Sequence, residues 1–310
     1  MLVLFCGLLM AAAHGQGKPS DNANQQPKTG KYTFRVNAEE VVLNCTVLDH
    51  HGQLVNGLDA SNFRVWDDKN PQKLISVQQS DSPVSIGLLV DNSGSMRPKR
   101  AAVTEAALDL VKASNPEDQT FVVNFSDQAY LDQDFTADPG KLRASLSHPS
   151  MMGGTAIYDT VITASKKLEE TAARPRKVLV IVTDGEDNAS RASMNDAIHA
   201  VQNLQGPVIY SIGLLFDAES GEHVGRARHD LHALSNETGG IAFFPKSTGD
   251  IDVVAAEVAR AIRKQYTLAY RAKATPNAWH SVRVEATAAG GGKLVVHTRP
   301  GYFENRETKR

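Results

Sequence analysis

The chain has 310 residues, of which 41% are hydrophobic and 22% are charged. These values suit a soluble globular protein of one large domain or two ordinary ones. The formal net charge is -2 and the lysines and arginines are scattered. No basic surface therefore indicates nucleic acid or an anionic membrane as a partner.

The N-terminal region has the composition of an export signal followed by a linker. Residues 1–15, MLVLFCGLLMAAAHG, are an apolar stretch followed by small residues. They predict a secretory signal peptide, although no Lys or Arg precedes the apolar stretch; the alternative is a cytosolic N-terminal strand. Cleavage would leave Cys45 as the sole cysteine, so we expect no intramolecular disulfide. Residues 16–31 contain no aliphatic or aromatic residue larger than alanine, which predicts a flexible linker.

Two segments of β character flank the centre of the chain. Residues 32–80 contain VVLNCTVLD and FRVWDD, and residues 265–303 contain YTLAYRA, HSVRVEATA and KLVVHTRPGYF. Runs rich in β-branched and aromatic residues, separated by turn residues, are typical of strands. Because the segments match in length and character, we hypothesise that they form one β-sandwich into which the central region is inserted. Residues 304–310 are predicted to be a charged tail.

Residues 84–264 predict a doubly wound α/β domain with a mostly parallel sheet. Wholly apolar runs indicate strands that are covered on both faces by helices. The predicted strands are Ser85–Val90, Thr120–Phe125, Val178–Val182, Val208–Leu215 and Ile241–Phe244, with Tyr130–Phe135 as an antiparallel edge strand. The predicted helices are Lys99–Lys112, Lys141–Leu146, Ala156–Thr171, Met194–Leu204, His229–Glu237 and Ile251–Lys264.

Oxygen-bearing side chains follow the ends of these strands. Asp91 ends SIGLLV and is followed by Ser93 and Ser95, Asp184 ends VLVIVT, and Thr155 precedes a predicted helix. Open α/β sheets bind ligands at the carboxyl ends of their strands, so we expect these five side chains to converge. Hard oxygen ligands suit Mg2+ or Mn2+, whereas Zn2+ normally takes His or Cys.

The stretch GLLVDNSGSM, residues 87–96, admits three interpretations: a turn, a catalytic nucleophile or a metal cradle. No G-x-S-x-G elbow surrounds Ser93 or Ser95. Phosphotransfer by an aspartate at position 91 would require a second Asp two residues later, and this chain has Ser93 at that position. Gly94 is expected to let the loop bend tightly. Neutral hydroxyls would leave a bound ion electrophilic, and such an ion could accept a carboxylate from another molecule.

These residues carry a resemblance to a known family. Residues 91–95 (DNSGS), Thr155 and residues 183–185 (TDG) resemble the three-part metal-ion-dependent adhesion site of von Willebrand factor A domains, across residues 84–264. The flanking segments resemble those of the exported bacterial VWFA-related family typical of acidobacteria.

The resemblance implies a ligand set and a function. It implies direct metal ligation by three hydroxyls and ligation through water by two carboxylates: Ser93, Ser95 and Thr155, with Asp91 and Asp184. We therefore expect a secreted or periplasmic, non-enzymatic adhesion or assembly protein with no membrane span. Its single Mg2+ or Mn2+ would bridge to an Asp or Glu of a protein partner.

Two further expectations concern the surroundings of the site. Arg97, Lys99 and Arg100 replace the acidic residues that form a second metal site in some family members, so we expect no neighbouring ion. This basic stretch either favours an acidic partner or is a solvated first helical turn.

The alternative function is a metal-dependent hydrolase using the ion as a Lewis acid. Glu186 is then the one His or Glu in the three loops that could act as its base.

Overall fold

The structure, a computed structural model, describes residues 38–79, 81–147, 153–203, 206–217, 221–273 and 278–303. The predicted signal peptide, linker and charged tail lie outside the described residues. None of the helices in the described ranges has the length and apolar character required to cross a membrane.

Strands open and close the described chain, and strands and helices alternate between them. In chain order the elements are β1 (Ala38–Leu48), β2 (Phe63–Asp67), β3 (Asn70–Gln72), β4 (Leu74–Gln78), β5 (Val84–Asp91), α1 (Arg100–Ala113), β6 (Gln119–Phe125), β7 (Ala129–Thr136), α2 (Pro139–Leu146), α3 (Ile157–Thr171), β8 (Arg176–Thr183), α4 (Met194–Val201), β9 (Val208–Gly213), α5 (Glu222–Asn236), β10 (Ala242–Phe243), α6 (Ile251–Arg263), β11 (Tyr266–Lys273), β12 (Trp279–Ala286), β13 (Val295–His297) and β14 (Gly301–Phe303).

The central sheet has the order β10-β9-β8-β5-β6-β7. Its strands are parallel except for β7, which is antiparallel to β6. One face packs against α1, α2 and α6, and the other against α3, α4 and α5. Every residue of β5 is buried, as two covered faces require. The predicted mostly parallel α/β sheet is confirmed.

Gly87, in the middle of β5, is required by close packing. A Cβ at this position would lie less than 3 Å from the side chains of Phe121 and Leu179. These two side chains belong to the neighbouring strands β6 and β8. The missing side chain therefore lets bulky residues meet across the central strand of the sheet.

The two flanking segments build two antiparallel sheets together. One has the order β13-β1-β11-β4 and the other β14-β12-β2-β3, so each combines strands from both segments. Val41 pairs with Tyr270 and Val65 with Val284, and all four side chains lie in one shared core. Cys45 is fully buried in that core, and burial raises the pKa of its thiol to about 12.

Buried polar side chains join the sandwich to the α/β sheet. The guanidinium of Arg176, at the start of β8, donates to the carbonyl of Ile262 at 2.5 Å and to Gln265 Oε1 at 2.6 Å. Arg299 donates to the carbonyl of Asn203 at 2.6 Å. Burial lowers the pKa of Arg299 to about 10. The residue before β11 is therefore hydrogen-bonded to the first residue of β8. The segment after β13 is hydrogen-bonded to the loop that precedes β9.

One helix is longer than its sequence pattern predicts. The helix α5 begins at Glu222, seven residues before His229. Its first two turns contain Gly225 and several charged residues, and Ala227 is their one fully buried residue. The first two turns of α5 therefore lack a long run of apolar residues at helical spacing. The helical pattern becomes visible in the sequence only where Leu231 and Leu234 pack into the core.

Candidate metal site

Asp91 lies at the carboxyl end of β5 and is 1% exposed. Its carboxylate accepts hydrogen bonds from the backbone N–H of Ser93 at 2.8 Å and from Thr183 Oγ1 at 2.6 Å. Burial raises the pKa of the carboxyl, and these hydrogen bonds offset part of that rise. Asp91 is thus positioned by the protein's own donors.

The two serine hydroxyls after Asp91 lie side by side. Ser93 Oγ is 3.1 Å from Ser95 Oγ, and Ser95 Oγ donates to Asp184 Oδ1 at 2.8 Å. Adjacent ligands of octahedral Mg2+, each 2.0–2.1 Å from the ion, lie about 2.9 Å apart. Adjacent ligands of the larger Ca2+ lie farther apart. The serine pair therefore fits two neighbouring positions around a small divalent ion.

Thr155 is held beside the Asp184 loop by two hydrogen bonds between its backbone and Asn188. Its N–H donates to Asn188 Oδ1 at 2.8 Å, and its carbonyl accepts from the Asn188 N–H at 3.0 Å. A Cβ on Gly185 would lie 3.7 Å from Thr155 Oγ1. The hydroxyl of Thr155 therefore adjoins the residue that follows Asp184.

A fourth loop fixes the turn that precedes Thr155. Asp127, between β6 and β7, accepts a hydrogen bond from the N–H of Gly154. Gly153 has a φ of 138°, a conformation that favours glycine. Sequence analysis did not identify Asp127, because a lone aspartate in a short turn gives no indication of its distant partner.

Lys99 is a component of the site that the sequence interpretation missed. Its Nζ is 2.8 Å from Asp184 Oδ2, and the side chains of Lys99 and Asp184 are only 7% and 3% exposed. The solvated first turn expected for this stretch is wrong for Lys99, although Arg97 is exposed. Lys99 lies three residues after Met96 and four before Val103, and both of these are buried. Helical spacing from these two apolar residues is the signal that could have found it.

Glu186, the candidate base of the hydrolase alternative, is engaged by α5. Its carboxylate accepts from Arg226 Nε at 2.6 Å and contacts the ring of His223. These bonds lower the pKa of Glu186, with that from Arg226 the largest cause. A carboxylate stabilised in its ionised form is a weak general base.

A second group of potential ligand atoms lies in the sandwich, away from the five predicted residues. It consists of Asp67, Asp68 and His280. Asp67 Oδ2 accepts from Tyr270 at 2.7 Å and from Tyr302 at 3.0 Å, and His280 Nδ1 lies 2.8 Å from Asp68 Oδ2. Asp67 and His280 are buried and Asp68 is exposed, so these contacts form a partly buried polar network that joins strands of the two segments.

The fold and the site define an open α/β domain with an oxygen-lined site at the carboxyl edge of its sheet. Residues 86–186 match the sequence model of the von Willebrand factor type A domain. The central part of the chain is therefore similar in sequence to a von Willebrand factor type A (VWA) domain. A comparison with curated protein sequences gave no match.

Solved structures that show similarity to this chain come from several sources. A von Willebrand factor type A protein from Catenulispora acidiphila is 13% identical with a TM-score of 0.51, over 89% of this chain and 76% of that one. Proximal thread matrix protein 1 from the mussel byssus, with a zinc-occupied MIDAS motif, is 21% identical with a TM-score of 0.49 over 64% of this chain. This chain spans half the length of the mussel protein. The PilB minor pilin from Streptococcus sanguinis is 14% identical, over 60% of this chain and 63% of that one, with a TM-score of 0.46.

Proposed function

We propose that this protein is a metal-dependent protein-binding module whose single Mg2+ or Mn2+ bridges to an Asp or Glu side chain of a partner. The observation that carries the proposal is the pair of serine hydroxyls 3.1 Å apart beside Asp184. The proposed ligands are the five residues identified from the sequence: Asp91, Ser93, Ser95, Thr155 and Asp184.

The hydrogen bonds around the two carboxylates support ligation by the hydroxyls. Each oxygen of Asp91 already accepts from a protein donor, and so does each oxygen of Asp184. Carboxylates held in this way suit contact with the ion through water, and the hydroxyls take the direct positions. An ion bound by neutral oxygens stays electrophilic and favours an anionic ligand from outside the chain.

We infer a binding role rather than hydrolysis because Glu186, the one His or Glu of the three loops, is not free to act as a general base. Glu186 is paired with Arg226 and its pKa is lowered. Metal-dependent hydrolysis would need a residue that accepts a proton from water near the ion. Hydrolytic turnover that disappears in Glu186→Gln, with metal binding retained, would restore the hydrolase alternative.

We further propose that the protein is exported and acts in adhesion or assembly in the periplasm or outside the cell. The support is the apolar stretch of residues 1–15, which has the pattern of a secretory signal peptide. Fractionation of the native host with an antibody to the chain tests this proposal. Recovery in the cytoplasmic fraction alone would contradict it.

The decisive experiment for the metal site is thermal unfolding in EDTA, Mg2+, Mn2+ and Zn2+. An ion at about 100 times its dissociation constant adds about 2.7 kcal/mol to the free energy of unfolding, which raises Tm by roughly 4 °C for a protein of this size. Thr155→Val removes the hydroxyl and keeps the backbone bonds to Asn188. Thr163→Val, on an exposed position of α3, is the matched control.

We expect Mg2+ or Mn2+ to raise the Tm of the unsubstituted protein and of Thr163→Val, and not that of Thr155→Val. Added acetate, compared with chloride at equal ionic strength, should tighten metal binding because linkage between two ligands is reciprocal. A metal response that Thr155→Val leaves unchanged would contradict the proposed site.

A further inference from the structure

The ammonium group of Lys99 is fixed inside the proposed metal site. Its Nζ lies 2.8 Å from Asp184 Oδ2 and 5.4 Å from the centre of the Phe216 ring. The Lys99 side chain is 7% exposed. A cation held between a carboxylate and an aromatic face in this way is bound from both sides.

The backbone of Lys99 is fixed as well. Its N–H donates to the carbonyl of Met96 at 3.0 Å, and its carbonyl accepts from the N–H of Val103 at 3.0 Å. Met96 and Val103 both lie in the core between α1 and the sheet. The lysine therefore cannot leave the site without disturbing the start of α1.

We infer that Lys99 sets the charge of the site, so that the ion binds weakly alone and tightly together with an anionic partner group. This inference rests on the proposed function. Asp91 and Asp184 supply two negative charges and Lys99 supplies one positive charge. A divalent ion therefore changes the net charge of the site from -1 to +1, where two carboxylates alone would give zero.

The excess charge has opposite effects on the two ligands. Lys99 repels the incoming ion, and because the Lys99 side chain is shielded from water the repulsion is screened less than between two surface charges. The same excess attracts a carboxylate, which neutralises the loaded site. A neutral side chain such as Asn or Gln gains nothing from it. Lys99 thus selects for acidic partner residues and couples their binding to that of the ion.

Calorimetric titration of the full chain with Mg2+ and with Mn2+ tests the inference. Lys99→Gln removes the charge and keeps a donor for Asp184, and Lys99→Met removes both. Lys99→Arg keeps the charge. Lys112→Met is the matched control, because Lys112 lies on the exposed side of α1 and pairs with Asp109 at 2.9 Å.

Without added carboxylate, Lys99→Gln and Lys99→Met should bind the ion about tenfold more tightly than the unsubstituted protein. The increase in affinity caused by acetate over chloride should be several-fold smaller in both variants. Lys99→Arg and Lys112→Met should stay within about twofold of the unsubstituted protein, since each keeps the charge at the site.

The outcomes separate the inference from the proposed function. Equal ion affinity in all five proteins would overturn the inferred role of Lys99 but would still agree with the proposed metal site. Weaker binding in Lys99→Gln would also overturn it, because Lys99 would then support the ligands. No ion binding in any protein, with or without acetate, would contradict the proposed function itself. Unfolding curves in EDTA identify any variant that does not fold, and the two neutral variants serve as checks on each other.

Discussion

Thr183 Oγ1 donates a hydrogen bond of 2.6 Å to Asp91 Oδ2. The two residues end the neighbouring parallel strands β8 and β5, which pair as far as Val90 and Val182. The same hydroxyl accepts from the N–H of Gly185 at 3.2 Å. One threonine therefore joins the loop after Asp91 to the loop that contains Asp184.

Thr183→Val should weaken both the fold and the metal site. The change keeps the shape of the side chain but leaves a buried carboxylate oxygen without its donor, which costs about 1–3 kcal/mol. We expect this loss in urea unfolding and about tenfold weaker Mg2+ binding, since a carboxylate without its donor changes orientation. Thr163→Val on exposed α3 is the control; an unchanged Mg2+ affinity in Thr183→Val would show that the bond does not position Asp91.

Gly154→Ala should abolish the metal response by displacing Thr155. A Cβ at this position would meet Asn188 and Asp127, the two side chains that hold this turn. Gly94→Ala is the matched control, because a Cβ there has nothing within 4 Å. We expect the metal-dependent rise in Tm to be lost in Gly154→Ala and kept in Gly94→Ala. A response retained in both would mean that Thr155 tolerates displacement.

Arg176→Met should destabilise the junction between sandwich and α/β sheet. The guanidinium donates hydrogen bonds to the carbonyl of Ile262 and to the side chain of Gln265. The substitution leaves both of these buried acceptors without their donor. A loss of about 2–4 kcal/mol is expected in urea unfolding. Arg143→Met removes an exposed pair with Glu105 and should cost at most about 1 kcal/mol. Equal losses in the two variants would contradict a buried role for Arg176.

His297→Gln should flatten the pH dependence of stability on the acidic side. Burial lowers the pKa of His297 below its ordinary value of 6.5. Between the lowered pKa and 6.5 the unfolded chain binds more protons than the folded one. The free energy of unfolding of the native sequence therefore rises with pH across this window.

The measurement is the free energy of unfolding at several pH values from about 4.5 to 7.5. His297→Gln lacks the titrating group, so its slope should be smaller. His229→Gln, at an exposed position of α5, should keep the native slope. Identical slopes for His297→Gln and the native sequence would show that the histidine contributes nothing to the pH dependence.

Gly94 and Lys99 show how far sequence reasoning could assign a role. The chain does turn tightly at Gly94, where a 3-10 helix begins, but Gly94 has no positive φ and a Cβ there would meet nothing within 4 Å, so the turn does not require glycine. Lys99 was grouped with its charged neighbours as a surface residue, yet it is buried against Asp184. For both residues, the structural role depends on the residues that surround them in the folded protein and not on the residue type alone.

The sequence by itself determined the class of the fold and the edge of the sheet that holds the site. Apolar runs such as those around Leu88 and Val180, alternating with helical patterns, are typical of parallel strands covered on both faces by helices, and such strands end at a common edge. The placement of Asp91 and Asp184 near each other follows from that rule. Whether the five predicted residues ligate a metal remains a prediction.

The tertiary structure alone decided which donors hold the site and how the flanking segments pair. The ion pair between Lys99 and Asp184 joins residues 85 positions apart, and β1 pairs with β11 across more than 200 residues. Contacts of this range depend on packing of the whole chain, and local hydrophobic period does not encode them. The charge and geometry of the site therefore depend on contacts between residues that are distant in the sequence, and local sequence patterns do not predict such contacts.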